Sequence, residues 1–328
     1  MEPSLKMTPL ITEDFMIPAA DVGVQLHVRN KRPADLTRFA PDNIVLFVHG
    51  ATGSPESGFD LALDDLSWMD WMARQGCDVY FVSVRGYGRS TRPREMDEPP
   101  MNNPPIVRTD VAARDVGAAV DFIRARRGVG SISLLGHSWG TTIMALYTTQ
   151  NNAKVHRLAL YAPGWLRTQG RSLTDAGGPL GAYRIVTAEA VKKRRGTGLP
   201  PGKHEDLMPA HWLDAYLEAA FAADPWSATQ NPRAFRAPNG VVLDSREYAN
   251  VGKPRYNPAD IHVPTLLILA EWDADTPLYM AQTLFPLLVN APVKRLVVIG
   301  EGTHSIVAEK NRLQLFREVQ LFLDEGRA

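Results

Sequence analysis

Leu134-Leu135-Gly136-His137-Ser138-Trp139-Gly140-Thr141 reads as the end of a buried strand, a Gly-x-Ser-x-Gly turn and the start of a helix. Residues 131–135 supply the strand, and residues 141–150 carry the helical spacing. The spacing of the turn has a steric cause. A serine on a tight, strained strand-to-helix turn needs neighbours two residues either side that lack side chains. The turn lifts the hydroxyl above the sheet and sets the next amides at a helix N-terminus, where negative charge is favoured. The bland alternative makes Ser138 a simple helix N-cap between two turn glycines.

Outward from this turn, short apolar runs at residues 44–48, 79–84, 157–161, 265–269 and 295–299 read as buried strands. Helical periods occupy residues 61–75, closed by Gly76, and 107–127, closed by Gly128. Leu313, Phe316, Val319 and Leu323 put a last helix at the C-terminal end. Strands alternating with helices imply a parallel sheet covered on both faces, because parallel neighbours need long crossovers. The two-residue alternation of Val22, Val24, Leu26 and Val28 implies antiparallel pairing at the N-terminal edge.

Between residues 165 and 255 this rhythm stops. The segment is rich in Gly and Pro and offers no convincing strand, and its charge run Lys192-Lys193-Arg194-Arg195 reads as a solvated face. Its clearest element is residues 209–222, where Trp212, Leu213, Tyr216, Leu217, Ala220 and Phe221 share one helical face. The chain therefore divides into a core of residues 1–164 and 256–328 and a mainly helical insertion at 165–255.

Composition narrows the function classes. The 328 residues are 45% hydrophobic and 22% charged, which is ordinary for a globular protein. Lys plus Arg and Asp plus Glu are 36 each, so no overall field draws in nucleic acid or an anionic membrane. The one cysteine, Cys77, cannot form an internal disulfide and reads as a buried small hydrophobe. Residues 1–6 lack the apolar run of a signal peptide, and no window is long enough to span a bilayer. These features lead to the expectation of a soluble, cytoplasmic protein, with a homo-oligomer possible.

Two later segments give the serine its partners. Leu266-Leu267-Ile268-Leu269-Ala270-Glu271-Trp272-Asp273 sets an acid just beyond a strand. Val297-Val298-Ile299-Gly300-Glu301-Gly302-Thr303-His304 sets a histidine in the loop after the last strand. Active sites of open α/β sheets form at the carboxyl ends of strands, so three strand ends deliver Ser138, Asp273 and His304 to one edge.

The order Ser, acid, His, each at a strand terminus, resembles the α/β-hydrolase fold family. The resemblance covers nearly the whole core and implies a mostly parallel eight-stranded sheet with an inserted helical cap at 165–255. It makes Ser138 the nucleophile, His304 the general base and Asp273 the acid. His49-Gly50-Ala51-Thr52-Gly53 matches the family's His-Gly oxyanion loop, and Arg85-Gly86-Tyr87-Gly88-Arg89-Ser90 its Arg-Gly-x-Gly-x-Ser turn. The oxyanion donors are then the backbone N–H groups of Ala51 and Trp139. His49, Gly50, Trp139, Trp212 and Tyr216 are the candidate substrate contacts.

Each candidate has a plainer reading. Asp275 competes for the acid role but reads better as a helix-start carboxylate before Thr276-Pro277. His49 reads as a brace for its loop and His137 as a packed neighbour of the serine. Trp212, Tyr216 and Phe221 are more often internal packing of a cap than substrate contacts, though one helix can do both. The strand-associated Gly86-Tyr87-Gly88 lacks the third glycine of a dinucleotide fingerprint. His204 and His211, seven residues apart with no nearby cysteine, do not suggest zinc.

The expectation is hydrolysis of a small-molecule carboxylic ester or lactone through an acyl-enzyme, with no cofactor and no metal. A serine in place of an aspartate argues against alkyl-enzyme chemistry. The alternatives are amide cleavage of the iminopeptidase type, suggested by Trp139 after the serine, carbon–carbon bond hydrolysis, or a non-catalytic binding protein on the same fold.

Overall fold

Strands β3 (Ile44–Val48) and β4 (Asp78–Val82) are buried at every position, as strands covered on both faces must be. They follow β1 (Leu10–Pro18) and β2 (Gln25–Pro33). After them come β5 (Ile132–His137), β6 (Val155–Tyr161), β7 (Tyr183–Thr187), β8 (Ala234–Pro238), β9 (Thr265–Ala270) and β10 (Lys294–Ile299). These belong to a computed structural model that describes residues 8–203 and 207–325. Eight strands form one sheet in the order β1-β2-β4-β3-β5-β6-β9-β10. From β4 to β10 every neighbouring pair is parallel, while β1 and β2 pair antiparallel at one edge.

The period of two in β3 divides the core into two layers. Leu46 and Val48 face one side, packed with Ala112, Val116 and Val120 of α3 (Thr109–Arg127) and Ile143 and Met144 of α4 (Trp139–Gln150). Val45 and Phe47 face the other, against Trp68 and Met72 of α2 (Trp68–Arg74) and Phe316 and Val319 of the C-terminal helix Arg312–Asp324. Helix α2 follows the short α1 (Pro55–Gly58).

The chain leaves β3 for β4 on one side and returns to β5 on the other, so a crevice opens where the winding reverses, at the carboxyl ends of β3 and β5. Helix α4 begins inside this crevice. A Cβ on Gly140 would lie 2.4 Å from the Val48 carbonyl oxygen, and one on Gly136 would lie 2.3 Å from that of Gly140. Strand end, turn and helix start therefore touch through backbone alone, which is why both positions are glycine.

Several expectations change in the folded chain. The helix expected over residues 61–75 shrinks to α2, because Ser67 and Asp70 form a capping box that starts it late. Val22 and Val24 sit in the turn before β2, and Val22 is fully exposed; the alternation there was that of a turn entering a strand. Residues 165–255 do hold strands: β7 and β8 form a separate antiparallel pair, with Tyr183 opposite Pro238. Their partners lie so far apart in sequence that no hairpin signal links them. The rest of this segment includes α5 (Ala188–Arg195) and the helices Ala210–Ala222 and Gly240–Glu247. Asp244 anchors it to the core by accepting the Thr109 N–H at 2.7 Å and the Arg108 Nε–H at 2.7 Å. Among the described residues no helix is long and apolar enough to cross a membrane.

Gly140→Ala is expected to destabilise the fold by about 3 kcal/mol, the upper range for forcing extra volume into packed structure. Chemical denaturation checks this against Gly130→Ala, where an added Cβ meets nothing within 4 Å.

Candidate active site

Ser138 sits at φ 55° and ψ −119°, a conformation that a residue with a Cβ rarely adopts. Its backbone is held there from both sides. The Ser138 N–H donates to the Tyr161 carbonyl at 2.9 Å, and its own carbonyl accepts the Thr141 N–H at 2.9 Å and the Thr141 hydroxyl at 2.6 Å. Helix α4 starts at the very next residue, two earlier than its apolar spacing suggests.

His304 Nε2 lies 2.9 Å from Ser138 Oγ, and His304 Nδ1 lies 2.8 Å from Asp273 Oδ2. With Nδ1–H donated to Asp273, Nε2 is free to accept the serine proton. All three side chains are buried. Asp273 is itself fixed, because Oδ1 accepts the N–H groups of Asp275 at 2.9 Å and Thr276 at 2.8 Å. Its Oδ2 takes the Thr276 hydroxyl at 2.9 Å. The His304 loop is held by Tyr161, whose hydroxyl donates to the His304 carbonyl at 2.9 Å. Thr303 is bound through both its N–H and its hydroxyl to the buried carboxyl of Glu309.

Asp275 does not start the following helix with its side chain; the helix Leu278–Leu284 has Pro277 at its N-cap and no side-chain cap. The Asp275 carboxylate instead turns into the site. It accepts Arg194 Nε–H at 2.8 Å and stands 4.0 Å from His304 Nε2, on the serine side of the ring. It is therefore on the wrong nitrogen to orient the imidazole. Burial works against its charge, but the Arg194 guanidinium and His304 outweigh that and hold its pKa below the usual carboxylate value. Burial also opposes a charge on His304, yet Asp273 and then Asp275 raise its pKa above the ordinary 6.5 while Arg194 pulls it down.

The run 192–195 is not a solvated face throughout. Lys192 and Lys193 are exposed, but Arg194 and Arg195 point inward. Arg194 Nη1–H donates to Thr52 Oγ1 at 2.7 Å, and Arg195 stacks on the Tyr216 ring at 3.8 Å. From β7, Arg184 Nη2–H donates to the Ala51 carbonyl at 2.5 Å and to Thr52 Oγ1 at 3.1 Å. Arg167 reaches the Asp275 carbonyl at 2.5 Å. No local motif marks these arginines. The run of charge at 192–195 was visible, but the direction of each side chain depends on how α5 docks.

Ser138 borders two lobes of one cavity. The larger, about 300 Å³, is lined by His49, Gly50, His304, Arg184, Arg194 and Tyr216 among others. The smaller, about 120 Å³, is lined by Trp139, Trp165, Tyr256 and Met280 with others. Ala51, Ser138, Arg194 and Asp275 border both. The N–H groups of Ala51 and Trp139 have no hydrogen-bond acceptor among the described residues.

His49 braces its loop: Nδ1–H donates to the Gly50 carbonyl at 2.8 Å, and Nε2 accepts the Val84 N–H at 3.2 Å. Burial pushes its pKa down to about 4, so it is neutral. His137 stacks on Tyr161 at 4.4 Å and meets the His304 carbonyl at 3.3 Å. Trp212 lies outside both lobes; its indole N–H donates to Asp64 at 3.0 Å and Arg312 covers its ring at 4.2 Å. The buried face of that helix is thus mainly packing, and of its residues only Tyr216 reaches the cavity. His211 is exposed beside Asp64, and His204 lies outside the described residues. Cys77 is buried.

A family model described as the alpha/beta hydrolase fold matches residues 43–310. The chain belongs to that family. Solved structures with the same fold include a membrane phospholipase A described as a bacterial virulence factor, 18% identical, covering 98% of this chain and 88% of its own with a TM-score of 0.63. The serine hydrolase CarC, involved in carbazole degradation, is 17% identical over 96% of this chain and 100% of its own, TM-score 0.62. A thermophilic esterase from Thermogutta terrifontis is 16% identical over 95% of this chain and 98% of its own, TM-score 0.57. No curated protein matches the sequence.

The His304 imidazole is expected to titrate above 6.5 in the folded chain. Asp275→Asn is expected to lower that value and Arg194→Met to raise it, as histidine-resolved NMR titration would report. The sign for stability follows: a raised folded pKa contributes stability below the unfolded value that is lost as pH climbs through the folded one.

Proposed function

We propose that the protein is a serine hydrolase that cleaves a carboxylic ester or lactone of a small molecule through an acyl-enzyme. The observation that carries this reading is the unbroken chain from Ser138 Oγ through His304, at 2.9 Å, to Asp273, at 2.8 Å, at the wall of a cavity. Esterase and serine hydrolase neighbours on the same fold are consistent with it.

Ser138 Oγ attacks the substrate carbonyl carbon while His304 Nε2 takes the serine proton. Asp273 holds the imidazole through Nδ1–H and stabilises its cation. The carbonyl oxygen becomes an oxyanion received by the N–H groups of Ala51 and Trp139, the latter at the N-terminus of α4. Collapse breaks the carbon–oxygen ester bond, and the leaving alkoxide takes the proton from His304. Water then adds to the acyl carbon, giving its proton to His304, and Ser138 leaves with that proton as the acid departs.

In this reading residues 165–255 act as a cap. Leu173, Arg184, Val191, Arg194 and Tyr216 of this segment line the larger lobe and close it over the serine. Lobes of about 300 and 120 Å³ suit a small molecule divided on either side of the scissile carbonyl.

Wild type is expected to label with a fluorophosphonate and Ser138→Ala to lose the label; an unlabelled wild type would rule the hydrolase reading out. Asp273→Asn is expected to lower kcat about 10⁴-fold, as loss of the imidazole-orienting acid does. Asp275→Asn is expected to cost far less, and the opposite ranking would reassign the acid. Because His304 must be neutral to accept a proton, kcat/KM is expected to fall on acidification with a midpoint above 6.5. Activity on p-nitrophenyl esters and lactones, with none on aminoacyl anilides, separates this reading from amide cleavage.

A further inference from the structure

The larger lobe carries more positive charge than the serine chemistry uses. Arg184, Arg194 and Arg195 all line it. Arg194 is matched by Asp275 at 2.8 Å. Arg184 is not matched: its Nη1–H groups meet the Pro238 carbonyl at 2.7 Å and, at 3.4 Å, the Ala237 carbonyl and Asn239 Oδ1. Its Nη2 meets only the Ala51 carbonyl and the Thr52 hydroxyl. Arg195 has the Tyr216 ring at 3.8 Å and Met208 Sδ at 3.1 Å. Among the described residues neither Arg184 nor Arg195 meets a carboxylate.

This arrangement gathers positive charge on one wall of the lobe. The Arg184 and Arg194 guanidiniums both donate to Thr52 Oγ1, at 3.1 and 2.7 Å; Asp275 answers Arg194, so the charge of Arg184 is the one left without a carboxylate in contact. An arginine cannot escape by losing its proton; burial draws the Arg184 pKa down to about 10, which still leaves it charged at neutral pH. Neutral carbonyls orient a buried guanidinium but do not compensate its charge. A carboxylate offsets such charge: Arg195, met only by a ring and a sulfur, has guanidinium N–H groups to donate, while Arg184, whose Nη groups are given to protein acceptors, adds its field.

We propose that the larger lobe recognises a carboxylate carried by the substrate, held there by the positive charge of Arg184 and Arg195 together. The inference rests on the hydrolase reading and adds the substrate class: a carbonyl compound bearing a free carboxylate a few bonds from the scissile carbonyl. That spacing follows from the loop, because Arg184 holds the carbonyl of Ala51, the residue whose N–H faces the reacting oxygen. The smaller lobe, with Trp165, Tyr256 and Met280 in its lining, takes the rest of the substrate. There Arg255 is answered by Asp244 at 3.7 Å.

The test compares p-nitrophenyl hexanoate with mono-p-nitrophenyl adipate, which differ only in a terminal methyl or carboxylate. Wild type is expected to favour the adipate ester in kcat/KM by about tenfold or more, and Arg184→Gln to reduce that ratio by about the same factor. Arg184→Lys is expected to recover part of it. Free adipate is expected to compete with the hexanoate ester in wild type and much less in Arg184→Gln. Equal use of both esters by wild type, or a loss in Arg184→Gln that falls alike on both, would overturn the proposal and leave Arg184 as a clamp on the Ala51 carbonyl. If Arg184→Gln does not fold, Arg195→Gln and adipate competition in wild type carry the same comparison. Fluorophosphonate labelling keeps the two readings apart. A wild type that labels without charge preference defeats the carboxylate alone, and one that does not label defeats the hydrolase reading beneath it.

Discussion

The backbone contact between the first turn of α4 and the end of β3 is the constraint on which the site depends. Gly140 stands against the Val48 carbonyl so closely that a methyl group there would lie 2.4 Å from it. This contact brings the β5 turn up to the His49–Thr52 loop. A Cβ on Gly50 would likewise lie 3.1 Å from Ser138 Cβ. The strained backbone of Ser138 is tolerable only because Tyr161 and Thr141 secure it from neighbouring elements. Without that convergence the His49–Thr52 loop would not lie against the serine turn.

Charge at this point is distributed unevenly and each group is placed by a different element. Two carboxylates follow β9 within five residues, yet they meet opposite nitrogens of one imidazole. Asp273 is turned to Nδ1 by the N–H groups of Asp275 and Thr276, whereas Asp275 is drawn toward Nε2 by Arg194. Arg194 therefore offsets a negative charge that would otherwise stand uncompensated beside His304 Nε2. His137 and His49 border the same cavity, but burial keeps both imidazoles neutral, with His137 held well below its ordinary pKa. His304 alone among the three is raised, since it alone contacts a carboxylate directly.

Residues 165–255 show where physical constraint on sequence is weakest. Their helix Ala210–Ala222 was legible because five of its residues are buried along one face. Strands β7 and β8 were not, because each is short and each places an arginine, Arg184 and Arg236, among its five residues. Arg236 is neutralised by Asp224, twelve positions earlier, which accepts it at 2.8 Å. A buried ion pair of that kind has no periodicity to announce it.

The core sheet and the meeting of Ser138, Asp273 and His304 at one rim were readable from sequence alone. Strands buried on both faces must be continuously apolar, and a turn without room for side chains must place glycine at Gly136 and Gly140. Those are local requirements, and local requirements leave local marks. The inward turn of Arg194, the exclusion of Trp212 from the cavity and the assignment of Asp275 to an arginine were decided by the tertiary structure. Each depends on which distant surface a helix or loop packs against, and a charged or aromatic side chain carries the same letters whether it meets water, a core or a substrate pocket.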